Sequence, residues 1–326
     1  MSTLPPSGGL WVFCEQNAKG VHPVAFELLG EASRLASDLH CSVTALLAGG
    51  SGEPAPALAA AGADMVLLAD GPDPVQPDEL QYTAILAALV RKYDPAVLLL
   101  GATAFGRSLA PRLAARLGTG LTADCTALSV DPGTGLLRQT RPAFGGNLMA
   151  TIVCPGHRPQ MATVRPKVFP APVPDPDRHW HLLRESVPAG PRAFEWLEQI
   201  ASEEETDIGK ADVLVSVGQG IGGAENIALA EELARKLHGT LASSRPLVDN
   251  GIMPYPRQVG QTGKTVSPKL YLALGISGAI QHMAGVAAQK LVAVNTDPDA
   301  PICGYADIVI PCDCGAFLRA MLDLLA

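Results

Sequence analysis

The sequence predicts an α/β protein of two domains. The first is an N-terminal α/β domain with a mainly parallel sheet plus antiparallel strands, and the second is a C-terminal doubly wound domain. Three observations carry this. The chain has 326 residues, about two domains by size. In both halves, apolar runs of strand length alternate with helical patterns, as in a parallel sheet flanked by helices. A proline-rich stretch, FPAPVPDPD at 169–177, separates the two series and reads as an extended linker.

In the first half, residues 10–14, 42–47, 65–68 and 97–100 are apolar runs of strand length, and 23–40, 56–61, 77–93 and 105–117 read as helices. From 121 to 168 the rhythm changes. Residues 121–130, 136–140, 148–153 and 161–164 read as strands joined by Gly/Pro turns, predicting antiparallel additions to the sheet. After the proline-rich stretch come a strand-like HLLRESV, a short helix around 194–201 and the acidic run Glu203-Glu204-Glu205, a solvated face. The domains are placed at 1–169 and 209–326, with a linker over 170–208.

The second half restarts the pattern. Residues 211–217 are a strand, 218–223 a glycine-rich turn, 224–237 a helix and 240–242 a short strand. A strand over 269–274 leads into Gly275-Ile276-Ser277-Gly278-Ala279 and a helix over 280–287. Residues 291–295 and 308–311 are strands and 315–325 a final helix.

Composition narrows the function. Hydrophobic residues are 48% of the chain, ample for two cores. Charged residues are 17% and the mean hydropathy is +0.21, which fits either a large buried subunit interface or Ala- and Gly-rich α/β cores. The net charge of −8 and the absence of a Lys/Arg cluster argue against a nucleic-acid partner. The seven cysteines are scattered, and Cys312-Asp313-Cys314 lacks the second pair a metal site wants, so they read as unpaired thiols in a reducing compartment. No secretory or transit pattern opens the chain and no apolar run approaches the roughly 18 residues of a membrane span. The expectation is a soluble protein of the cytoplasm, or of the mitochondrial matrix if the source is eukaryotic.

Gly218, Gly220 and Gly223 match G-x-G-x-x-G after a strand, but no acidic residue ends the next strand to hold a ribose. A nicotinamide site and a tight strand-to-helix connection both stay open. Gly275–Ala279 is the better phosphate site: Ser277 supplies a hydroxyl, Gly275 and Gly278 permit close backbone approach, and Gln281 and His282 sit in the following turn. The donor-rich loop RQVGQTGK, containing Gln258, Val259, Gly260, Gln261, Thr262 and Gly263, suits the edge of a planar heteroaromatic ring and equally a solvated surface. Ser244-Arg245 precedes a turn at 248–251, and Asn295-Thr296-Asp297-Pro298 follows a strand. These loops lie mostly at C-terminal strand ends, which converge on one crevice in a parallel sheet, so a long ligand with several polar parts is expected. A dinucleotide fits.

Those motifs, with Gly101-Ala102-Thr103, Leu121-Thr122-Ala123-Asp124-Cys125 and Arg141-Pro142-Ala143-Phe144-Gly145-Gly146-Asn147 in the first half, resemble electron-transfer flavoprotein alpha subunits in order and spacing over nearly the whole chain. The resemblance implies an electron carrier with one non-covalent FAD in the domain over 209–326. Its pyrophosphate would rest on Ser277, Gly278 and Ala279. Asn295, Asp297 and Asp313 would hold the adenosine end, and Arg245, Gln261, Thr262 and His282 would surround the isoalloxazine. Ser244, Gln258, Val259, Gly260, Gly263, Gly275, Ile276 and Gln281 complete the set. No catalytic residue and no metal are implied.

The implied partners are a beta subunit that carries AMP or a second FAD, a flavoprotein dehydrogenase as donor, of the acyl-CoA type in fatty acid oxidation, and a quinone oxidoreductase as acceptor. Cations and donors near the flavin N1/O2 edge would stabilise the negative charge of reduction. His282 is expected to titrate with the flavin's redox state between about pH 6 and 8, near the ordinary histidine value. Gln219, Pro246-Leu247 and Tyr255-Pro256-Arg257 depart from the commonest family pattern. The branch therefore stays open between housekeeping carriers and dehydrogenase-dedicated or electron-bifurcating relatives. A nicotinamide-binding oxidoreductase and a nucleotide-sensing protein are the readings from other classes. No iron–sulfur cluster is expected.

Overall fold

The computed structural model describes residues 8–71, 77–143, 148–188, 190, 192, 195–197 and 207–325. The chain divides into two units, the first comprising residues 1–143 and 149–199 and the second the rest.

Unit 1 begins with Leu10–Phe13 (β1), a hairpin of Gln16–Asn17 (β2) and Gly20–Val21 (β3), and helix Pro23–Leu39 (α1). Val43–Ala48 (β4), Ala55–Ala60 (α2), Met65–Ala69 (β5), Glu79–Tyr93 (α3), Val97–Gly101 (β6) and Ala104–Leu117 (α4) continue the alternation. Then come Leu121–Cys125 (β7), Ala127–Val130 (β8), Leu137–Ala143 (β9), Leu148–Ile152 (β10), Gln160–Val164 (β11) and His181–Glu185 (β12).

Seven strands form one parallel sheet in the order β12-β5-β4-β1-β6-β11-β7. Every residue of β1, β4, β5, β6 and β11 is buried, as strands covered on both faces must be. The helices start where side chains satisfy their free N–H groups. The Asp78 carboxylate accepts from Leu80 and Gln81 at 2.9 and 3.2 Å to open α3, and the Thr103 hydroxyl accepts from Gly106 at 2.9 Å to open α4. Leu28, Leu29, Ala32 and Leu35 of α1 fall on one helical face and are fully buried, each leucine contributing roughly 1.5–3 kcal/mol.

The expected antiparallel additions to this sheet need correction. β7 and β11 join the main sheet in parallel, β11 lying between β6 and β7. Burial on both faces of Gln160–Val164 requires that position. The antiparallel pairing is separate: β8 pairs antiparallel with β9 in a three-stranded sheet ordered β10-β9-β8, and β8 alternates buried with less buried positions. The run expected over 121–130 breaks at Thr126 into two strands, and Asp124, at φ 62°, sits at an irregularity within β7. Its carboxylate accepts from Arg165 at 3.2 and 2.6 Å.

The proline-rich stretch runs along unit 1. Pro172 packs on Gly30, where a Cβ would come within 2.9 Å of it, and Asp175 N–H donates to Ala60. β12 then pairs in parallel with β5, so this part of the segment read as a linker belongs to unit 1. The helix expected around 194–201 falls mostly outside the described residues, and residues 195–197 are not helical. The acidic run at 203–205 also lies outside them.

Unit 2 contains Val213–Val217 (β13), Ala224–Lys236 (α5), Thr240–Ser243 (β14), Arg245–Asp249 (α6), Leu270–Leu274 (β15), Ile280–Met283 (α7), Lys290–Val294 (β16), Ile308–Ile310 (β17) and Cys314–Leu324 (α8). Its sheet is parallel throughout, ordered β14-β13-β15-β16-β17. α5 and α8 cover one face through Ala230, Leu233, Ala234 and Leu318. Val259, Val266, Ile276 and Met283 bury the other face, with Tyr271 among them.

Two local expectations differ here. The helix expected over 280–287 stops at Met283, because Gly285 closes on Gly260 and its carbonyl accepts from Val266 N–H at 2.8 Å. Residues 245–249 form a short helix where the turn over 248–251 was expected to begin. All seven cysteines are unpaired. Among the described residues, no cluster of metal-ligating side chains is found and no helix is long and apolar enough to cross a membrane.

Candidate functional site

The strand order of unit 2 reverses between β13 and β15, one neighbour leading to β14 and the other to β16. In an open parallel sheet the loops leaving the C-terminal ends diverge at such a point and leave a crevice. Here the crevice is a cavity of about 670 Å³, within the usual 300–1,000 Å³ of small-molecule sites.

Two glycine turns form its floor. Gly275 follows β15 at φ 62°, and its carbonyl accepts from Gly220 N–H at 3.0 Å. A Cβ on Gly218 would fall 2.3 Å from that same carbonyl oxygen. Protein packing therefore explains Gly218 and Gly220, and the turn over 218–223 contributes Gln219 and Gly220 to the floor instead of a separate site. The reason given for Gly275 and Gly278 also needs correction. A Cβ at Gly278 would meet Ile302 N at 2.2 Å, so the backbone that approaches each glycine closely is the protein's own. Beyond Gly275, Ile276, Ser277 and Ala279 line the cavity. Among the described residues, no hydrogen bond is made by the N–H groups of Ser277, Gly278 or Ala279.

The loop after β14 forms one wall. Ser244 is buried, with its N–H donating to Val217 O at 3.0 Å. Arg245 and Asp249 form an exposed ion pair at 3.1 Å and both face the cavity. The donor-rich loop is held in place by the backbone. Val259 N–H donates to Ser243 O at 2.9 Å, Gln261 N–H to Gln281 O at 2.7 Å and Lys264 N–H to Gln258 O at 2.8 Å. Gly263 lies outside the lining, packed against Gln258 O. Gln258 is buried, and its Nε2 donates to Thr262 Oγ1 at 3.0 Å. That leaves the Thr262 hydroxyl proton available to another acceptor.

His282, 7% exposed, lines the cavity with Gln281. Its Nε2 lies 2.8 Å from the Tyr271 hydroxyl, its Nδ1 is buried, and the Val259 backbone lies beside the ring. Burial pushes the imidazole down to about 4, so it is neutral near pH 7 with no ligand bound. On the far side, Asn295 Nδ2 donates to Ile276 O and its Oδ1 accepts from Asp297 N–H, both at 3.0 Å. Asp313 lies outside the lining: it caps α8, accepting from Ala316 N–H at 2.9 Å.

Gly278 also lies outside the lining; the remaining expected residues share one cavity, joined by Gln219, Gly220, Pro246, Asp249, Ala300 and Pro301. Asp249 had a sequence signal, since it stands four residues after Arg245 on what proves to be a helix. Tyr271 had none, because an aromatic residue in an apolar run reads as core.

Comparison with known proteins gives a consistent family. Residues 10–186 match the model described as electron transfer flavoprotein domain, and residues 207–287 match electron transfer flavoprotein FAD-binding domain. The electron transfer flavoprotein subunit alpha of Thermoanaerobacterium thermosaccharolyticum is 46% identical over 96% of this chain and 96% of its own length. Protein FixB of Clostridium saccharobutylicum is 47% identical over 92% of this chain and 90% of its own. The lactate dehydrogenase (NAD(+),ferredoxin) subunit LctC of Acetobacterium woodii is 40% identical over 97% of this chain and 77% of its own.

Proposed function

This chain belongs to the electron transfer flavoprotein alpha-subunit family, and on that premise we propose that unit 2 binds one non-covalent FAD in the cavity at the C-terminal edge of its sheet. The observation that carries this reading is the convergence of four polar loops on one crevice. The free N–H groups of Ser277, Gly278 and Ala279 suit a pyrophosphate. Asn295 and Asp297 would hold the adenosine end, and Arg245, Gln261, Thr262 and His282 would face the isoalloxazine. Asp313 is occupied as a helix cap outside the cavity lining.

When bound, FAD supplies electron storage and transfer in one- or two-electron steps. This chain's residues orient the ring and set its potential. Thr262 offers a hydroxyl proton whose direction is constrained by Gln258. Arg245, paired with Asp249, places an exposed positive charge beside the cavity.

The full protein would be a heterodimer with a beta subunit that carries AMP or a second FAD. It would take electrons from a flavoprotein dehydrogenase of the acyl-CoA type and deliver them to a quinone oxidoreductase. A dehydrogenase-dedicated role is the second reading, favoured by the relative named as a lactate dehydrogenase subunit. Purification with the beta subunit, followed by absorbance spectroscopy and reduction by acyl-CoA plus its dehydrogenase, tests both levels. A colourless complex would remove the flavin reading. A yellow complex that acyl-CoA dehydrogenase cannot reduce would favour the dedicated one.

A further inference from the structure

We propose that Tyr271 is a positioning residue that fixes the His282 imidazole with its proton on Nδ1, so that the ring meets the cavity ligand as a hydrogen-bond donor. Tyr271 stands in β15, its side chain fully buried, two residues along the strand from Ala273 and one turn of chain before the cavity. Its hydroxyl lies 2.8 Å from His282 Nε2.

The assignment follows from counting protons. A buried tyrosine hydroxyl must place its single proton on an acceptor, because leaving it unmade costs about 1–3 kcal/mol. Burial holds Tyr271 above the ordinary tyrosine range, so the proton stays on the phenol. Burial likewise keeps the His282 ring neutral, with one nitrogen bare and one protonated. Among the described residues, two groups are in reach of the phenol, Nε2 at 2.8 Å and the Ser216 hydroxyl; the serine has a proton of its own to give to the phenol oxygen, which leaves Nε2 to accept. If Nε2 accepts, it is the bare nitrogen, and the ring proton is on Nδ1. That nitrogen is buried, with the Val259 backbone beside the ring, on a residue that lines the cavity. The opposite tautomer would set two donors, the phenol and Nε2–H, against each other unless the phenol turned away from the ring.

The consequence for the flavin rests on the FAD reading above; the tautomer does not. A donor is the correct polarity for a ring edge that becomes negative on reduction, and a bare nitrogen is the wrong one. Tyr271 would then favour reduced over oxidised flavin without touching it. The neighbouring Ser216 hydroxyl, buried on β13, defines the competing arrangement, in which it accepts from the phenol instead of donating to it.

The test is long-range proton–nitrogen NMR on the full chain with 15N-labelled histidine, before flavin is added. The expected result is a protonated Nδ1 and a bare Nε2 for His282, and in Tyr271→Phe a shift toward the Nε2–H form. A wild-type ring protonated on Nε2 overturns the proposal, whether or not the variant folds. So does an unchanged Nδ1–H ring in folded Tyr271→Phe. In the complex with the beta subunit, Tyr271→Phe should keep its flavin absorbance and lose roughly tenfold in preference for reduced over oxidised flavin. An unchanged potential overturns the positioning role. A wild-type complex without flavin absorbance would instead refute the FAD reading, and the tautomer measurement would still decide this one.

Discussion

The Gly275 carbonyl accepts from Gly220 N–H at 3.0 Å, and a Cβ added to Gly275 would lie 2.4 Å from the Gly220 carbonyl carbon. Two turns separated by more than fifty residues in sequence are thus one packed element beneath the cavity. Gly275 also holds φ 62°. Both constraints oppose any side chain there, and no flexible group is available to give way.

Gly275→Ala should therefore destabilise unit 2 by about 3 kcal/mol, combining left-handed strain with displaced backbone. Gly220→Ala should cost less, because its added Cβ would meet Gly275 at 3.0 Å and at ordinary backbone angles. Hydrogen exchange in peptides from β13 and β15 measures both. Equal protection in Gly275→Ala and wild type would show that the turns separate freely.

This pairing marks where sequence reading works and where it stops. The alternation of strands and helices was legible because strands buried on both faces must be continuous apolar runs, as in Val43–Ala48 and Leu270–Leu274. Pairing direction was not legible for Gln160–Val164, since its partners β6 and β7 lie far away in sequence. The polar loops of the site were readable as loops, and the resemblance ordered them. The reason for their glycines was not readable, because a lone sequence cannot show whether ligand or protein occupies the space beside a missing Cβ. Tyr271 stayed hidden for a related reason: its hydroxyl matters only through His282, eleven residues on.

Gln258 and Thr262 form the second internal pair of the site. Gln258→Leu removes the amide that occupies the Thr262 oxygen while keeping similar bulk. The hydroxyl is then free to turn from the cavity, and flavin affinity should fall about fivefold, the worth of one neutral hydrogen bond. Thr262→Val should do the same, and the double variant should lose no more than either single one. Additive losses, read by flavin fluorescence on dilution, would show that the two residues act separately.

In unit 1, burial pushes the Glu15 carboxyl up, and the hydrogen bond from Thr103 only partly offsets this. The sign of the linkage follows. At pH values below the ordinary glutamate value of about 4.3, both folded and unfolded chains hold the proton and no penalty exists. As pH rises, the unfolded chain releases it first, and stability is lost until the folded carboxyl also ionises. Glu15→Gln keeps an acceptor for Thr103 and cannot ionise. It should match wild type in urea unfolding at pH 4 and exceed it at pH 7, with buried Trp11 as the fluorescent reporter. A difference of the same size at both pH values would assign the effect to packing.

His282 carries the opposite linkage in unit 2. Its folded value, about 4, lies below the roughly 6.5 of an unfolded histidine. Above pH 6.5 both states are neutral and the ring contributes nothing to pH dependence. As pH falls through that value the unfolded chain takes up a proton that the folded chain refuses. Stability then declines down to about pH 4, by on the order of 3 kcal/mol in total. At pH 5 the loss should be about 2 kcal/mol, a fall of roughly thirtyfold in exchange protection for amides that open only with the whole unit. His282→Gln should abolish this dependence between pH 7 and 5 while leaving the Gly275–Gly220 contact in place. Bound flavin provides a further check. An oxidised, neutral ring edge should leave the histidine uncharged, whereas reduction places an anion beside it and should raise its value toward neutrality. Histidine NMR across pH 4–8 in the cofactor-free, oxidised and reduced complexes measures all three. A cofactor-free His282 that titrates near 6.5 would mean that its site is open to water, and the neutral, Tyr271-held ring could not then be the resting state.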